Sequence, residues 1–65
     1  MNILDKLNIG DLFIHPYHNE RLICILLGKT KTSSNLFIKI LYLVVIDKKI
    51  DEKYYLTDTK CRILC

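Results

Sequence analysis

A chain of 65 residues, 51% of them hydrophobic, makes one small domain, and a domain of that size buries only about 60% of the surface its unfolded form exposes. Ten Lys and Arg against seven Asp and Glu give a net charge of +3, a balance that permits nucleic-acid contact without demanding it. The longest apolar run has eleven residues with Lys39 inside it, well short of the roughly 20 that a membrane-spanning helix requires.

The first ten residues, MNILDKLNIG, have no basic region followed by a long apolar stretch, so no secretory signal is expected, and the location expected is intracellular or inside a virion. Cys24, Cys61 and Cys65 are an odd number, which in that setting argues for free thiols rather than a disulfide framework. Ala, Gln and Trp are absent while Ile, Leu and Lys dominate. That skew is the mark of an AT-rich genome, as in some bacteria and many of their viruses.

In chain order, Asn2 and Asp5 with Ile3, Leu4 and Leu7 at helical spacing and Gly10 beyond predict a short helix within residues 1–9,. So short a helix needs an apolar surface beneath it, and Leu4 and Leu7 are expected to close an open end of the core. The rest, residues 10–65, predicts strands. Asp11 to His15 forms the first and Pro16 ends it. Glu20 to Gly28 forms the second, with Gly28 placed for a backbone conformation that other residues resist. Lys29 to Asn35 reads as an exposed hairpin loop.

Leu36 to Ile46 (LFIKILYLVVI) is the third strand. Its first half alternates around Lys39, whereas LYLVVI is apolar at every position. A continuous run is covered on both faces, and a small barrel has only one interior. One outward set, Leu41, Leu43 and Val45 or else Tyr42, Val44 and Ile46, is therefore expected to meet the N-terminal helix, another copy or another protein. Asp47 to Lys49 turns into a fourth strand, Ile50 to Leu56. Thr57 to Thr59 makes a one-turn break, and Lys60 to Leu64 alternates as a fifth strand with Cys61 and Ile63 on one face.

Five strands with a late turn before the last resemble a small SH3-like barrel, the class that includes KOW, Tudor-like and short bacteriophage domains. The residues that carry the resemblance are IGDLFIHP (Ile9 to Pro16), ERLICILLG (Glu20 to Gly28), the DKKI turn (Asp47 to Ile50) and TDTKCRIL (Thr57 to Leu64). It implies an all-β five-stranded barrel carrying a short N-terminal helix. The chain departs from peptide-binding SH3 domains in having no Trp for a Pro-rich ligand groove, and from KOW domains in having no glycine-rich turn within HPYHNERL.

Candidate sites follow from this layout. Four side chains, His15, His18, Cys61 and Cys65, have the donor chemistry of a zinc site, but the cysteine spacing lacks a tight knuckle and no metal or other cofactor is expected. A Cys61 nucleophile beside His15 or His18 would lack an oxyanion hole, an orienting acid and a cleft, so neither catalysis nor a small-molecule substrate is expected. Lys29, Lys31, Lys48 and Lys49, with Tyr17, Tyr54 and Tyr55 as flat platforms, make a candidate nucleic-acid surface. The expectation that comes first is a non-enzymatic structural or interaction module, of the kind found among bacteriophage accessory proteins. It would dock through Leu41, Tyr42, Leu43, Val44, Val45 and Ile46 onto a protein partner or a second copy.

Overall fold

The computed structural model describes residues 2–16 and 21–64. The chain is all-β: six antiparallel strands form one unclosed sheet in the order β1-β6-β2-β3-β4-β5. These are β1 (Asn2–Ile3), β2 (Leu12–Ile14), β3 (Ile23–Lys31), β4 (Phe37–Val44), β5 (Lys49–Leu56) and β6 (Lys60–Ile63). The last five fall where the hydrophobic pattern places the five expected strands. The first lies where the one- or two-turn N-terminal helix is expected to begin, and narrows that helix to the single turn that follows it.

Asn2 and Ile3 pair with Cys61 and Lys60, and only Leu4–Lys6 turns, as a single 3-10 turn closed by Leu7 N–H to Leu4 C=O at 3.1 Å. A helix of two turns would satisfy few of its own backbone groups. Pairing with β6 satisfies them directly, and the turn still drives Leu4 and Leu7 into the core, where both are fully buried. Asn8 to Asp11 then reverses the chain: Asp11 N–H reaches Asn8 C=O at 3.0 Å, and Gly10 at φ +93° takes the third position, which needs a left-handed residue,.

β3 is the longest strand. It does not stop at Gly28 but passes a bulge between Leu26 and Gly28 and runs on to Lys31. Gly28 has no positive φ, and a Cβ there would make only ordinary contacts with Leu41, so the glycine is not demanded by its conformation. The extra residue, Leu27, shifts the alternation of the strand. Cys24 and Leu26 face inward before the bulge, and the inward positions after it are those opposite Ile40 and Ile38, namely Lys29 and Lys31. The expected loop at Lys29 to Asn35 is accordingly shortened to the turn after Lys31, where Asn35 sits at φ +62°.

The core lies on the inner face of the bent sheet: Leu4, Leu7, Phe13, Cys24, Leu26, Ile38, Ile40, Tyr42, Val44 and Cys61, with Leu22, Tyr55 and Ile63 packed against it. Strand periodicity accounts for the set, since Phe13, the pair Cys24 and Leu26, the even positions of β4 from Ile38 to Val44, and Cys61 are all alternate residues. β5 contributes only Tyr55. Its other inward positions, Lys49, Asp51 and Lys53, are exposed, which suits an edge strand that charged side chains keep from pairing with other chains.

Candidate functional site

Because β4 alternates without interruption, the apolar run divides cleanly. Tyr42 and Val44 point into the core, Leu41 and Leu43 are half-buried on the outside, and Val45 and Ile46 are exposed, Ile46 by 79%. The outward set is therefore Leu41, Leu43 and Val45, with Ile46 at the turn.

Cross-strand register makes this set part of a larger feature. Leu12 pairs with Ile25, Ile25 with Leu43, and Leu43 with Ile50. Leu64 joins the same row through its N–H to Leu12 C=O at 2.7 Å. An apolar row thus crosses the outside of the sheet from β6 to β5. A second row lies beside it. Arg62 pairs with Ile14 and Ile14 with Ile23, and Val45 N–H donates to Ile23 C=O at 3.0 Å. Ile23, Leu27, Val45 and Ile50 are all exposed large hydrophobics. Together the two rows make a largely apolar surface on the outside of the sheet. A polar seam bounds it, formed by Lys39 with its ammonium 4.0 Å from Glu52 and 6.0 Å from the Tyr54 ring centre.

Two shallow cavities open on the second row and share Arg21. One, about 360 Å³, is lined by Arg21, Leu22, Ile23, Val45 and Ile46. The other, about 310 Å³, is lined by Ile14, His15, Pro16, Arg21, Lys60, Cys61, Arg62 and Leu64.

The lysines of the nucleic-acid set do not gather. Lys31 lies opposite Ile38, Lys29 opposite Ile40 and Lys49 opposite Val44, so the first two sit six and four residues from Lys49 along β4, about 20 and about 13 Å at the usual rise of a strand. Lys31 is paired with Asp5 at 2.7 Å and Lys29 donates to Asp5 C=O at 2.9 Å, which ties both to the N-terminal turn. That hydrogen bond from Lys31 is also the main reason the Asp5 carboxyl is held below its ordinary value. Tyr54 is exposed, Tyr55 is half-buried with its hydroxyl at His15, and Tyr17 lies outside the described residues.

His15 is the residue that sequence reasoning placed least well. It is buried, with Nε2 2.8 Å from the Tyr55 hydroxyl and 3.1 Å from that of Tyr42, and its ring centre is 4.9 Å from the Tyr42 ring. Tyr42 in turn donates to Asp51 at 3.4 Å. Burial first, and the nearby Asp51 charge second, push the Tyr42 phenol well above its ordinary value. The available signal was alternation: in LFIH, His15 shares the inward face of Phe13.

Of the zinc set, His15 and Cys61 line one cavity, while His18 and Cys65 lie outside the described residues. Among the described residues no three His, Cys, Asp or Glu side chains converge to hold a metal ion. Burial pushes the Cys24 thiol up to about 11 and raises that of Cys61 as well. A protonated thiol is a poor nucleophile and a poor ligand.

Comparison with models of protein families, with curated proteins and with solved structures gave no match to this chain.

Proposed function

We propose that this chain is a non-enzymatic interaction module of SH3-like barrel type, which docks through the outer face of its sheet onto another protein surface. The barrel assignment is supported by strand order. β6-β2-β3-β4-β5 is a meander whose last strand returns to pair with its first, and the break before that last strand is one tight turn, with Thr59 N–H to Leu56 C=O at 3.0 Å. The observation that carries the function is the row Leu12, Ile25, Leu43 and Ile50, apolar across four strands on the side away from the core. Fully burying an exposed aliphatic side chain contributes about 1.5–3 kcal/mol, so covering the exposed Ile23, Val45 and Ile50 together with the half-buried remainder of the row favours holding two surfaces together. A small accessory protein of a larger assembly, the setting expected for a bacteriophage protein, has this requirement.

Sedimentation velocity from low to high micromolar concentration, together with a pull-down from the source cell, tests the reading. A concentration-dependent complex, or a captured protein lost on Leu43→Asp, is the expected result. Leu43 faces outward, so its replacement leaves the core intact. A monomer at every concentration that also captures nothing would sink the proposal.

A further inference from the structure

The two cavities differ in chemistry and touch at one residue, and that juxtaposition specifies the docked segment. On the β4 side the wall is aliphatic, made by Ile23, Val45 and Ile46. On the β6 side Lys60 and Arg62 stand over an apolar floor. Arg21 belongs to both. Among the described residues, none that lines either cavity is acidic. The ion pairs among the described residues are Lys31 with Asp5 and Lys39 with Glu52, so Arg21, Lys60 and Arg62 share no ion pair with any carboxylate among those residues. Three cations around one concave site focus a positive potential there. The charge is local, since the same face is aliphatic one strand away.

Building on the docking surface proposed above, we infer that its partner is a protein segment in extended form carrying aliphatic side chains followed by carboxylates. It lies across β4, β3, β2 and β6, with its aliphatic groups against Ile23 and Val45 and its carboxylates at Arg21, Lys60 and Arg62. Arginine is suited to the role because its planar fork binds a carboxylate through two hydrogen bonds. Arg21 is held at φ +52°, an unusual conformation for a side chain of its size, at the point where the two cavities join.

The test is a titration of the isotopically labelled full chain, followed by its amide resonances, with a blocked synthetic peptide of alternating Leu and Asp. The expected result is a shift of Ile14, Ile23, Val45 and Arg62 amides that weakens with added salt. The same peptide with Lys in place of Asp should produce none of it. Lys60→Glu with Arg62→Glu should lower affinity by roughly four- to twenty-five-fold, taking about two- to fivefold per exposed charge. Both side chains are exposed, and the wild-type comparison of the two peptides decides the matter if the variant does not fold. Equal response to the Lys peptide overturns the inference. So does an Asp and Ser peptide or inorganic phosphate that matches the Leu peptide, which would leave only an anion cavity, or a deoxythymidine decamer that binds more tightly. Failure here with sedimentation still sensitive to Leu43→Asp rejects the partner's chemistry alone. Loss of that sensitivity rejects the docking face itself.

Discussion

His15 shows how a polar residue is made tolerable inside a chain this small. Buried between two tyrosine rings, it has both hydroxyls within hydrogen-bond reach of one ring nitrogen, and a buried polar atom left without such a partner costs more than the bond itself contributes. Tyr55→Phe removes the shorter contact and should cost about 1 kcal/mol in urea unfolding, whereas Tyr54→Phe, at an exposed ring, should change nothing measurable. Stability should also fall on the alkaline side. Cys24, Cys61 and Tyr42 all hold their protons more tightly when folded than when unfolded. The contribution of Cys24 is complete below the unfolded thiol value, about 8.5, and is lost as pH rises toward about 11, where Cys24 ionises even in the folded chain,; Tyr42 adds its part only above the ordinary phenol value, about 10. Urea midpoints measured from pH 7 to 10 should decline above pH 8, and Cys24→Val should make the decline shallower. A flat profile would contradict the burial of these groups.

At the scale of elements, turns and the bulge decide what the strands present. Lys48 is held at φ +55° in the turn between β4 and β5, a conformation that costs a side chain about 1–2 kcal/mol relative to glycine. The flexibility glycine adds to the unfolded chain offsets part of that. Lys48→Gly should therefore stabilise the protein by up to about 1 kcal/mol, read as a higher thermal midpoint with the far-ultraviolet spectrum unchanged. The β3 bulge has the larger consequence. By resetting alternation after Leu26 it sends Lys29 and Lys31 toward the N-terminal turn, where Asp5 receives both. The same two lysines in a plain loop would have faced solvent, as their sequence context suggested. A bulge leaves little trace in a pattern of apolar residues, because one added residue in LICILLG keeps the segment apolar throughout.

For the whole molecule, the surplus of apolar residues is the central fact. The inner face of the sheet is filled by alternate residues of β2, β3, β4 and β6; part of what remains forms the outer rows from Leu64 to Ile50 and from Arg62 to Val45, and Ile9, Leu36, Phe37 and Leu56 are exposed outside them. Association through the aliphatic rows should persist or strengthen in high concentrations of sulfate, since such salts favour apolar burial. Binding of the acidic peptide should weaken in the same solutions by screening. Sedimentation and the amide titration repeated at high salt distinguish the two contributions.

Periodicity alone determined the strands. FIKILYLV alternates about Lys39, and Phe13, Cys24 and Leu26 follow the same period of two, so five strands and the two opposed faces of each were legible in the order of residues. The excess of LYLVVI was legible too, as more apolar surface than one interior can hold. Only the tertiary structure decided which half of it faces out, because alternation fixes that two sets are opposed but not which one the rest of the chain covers. It also decided the two features that depend on distant pairing. Asn2 and Ile3 are strand rather than helix because β6 offers them backbone partners, and Arg21, Lys60 and Arg62 surround one cavity because β2 and β6 are neighbours. Residues about 40 apart in sequence are brought together by hydrogen bonds between strands, which no local pattern records.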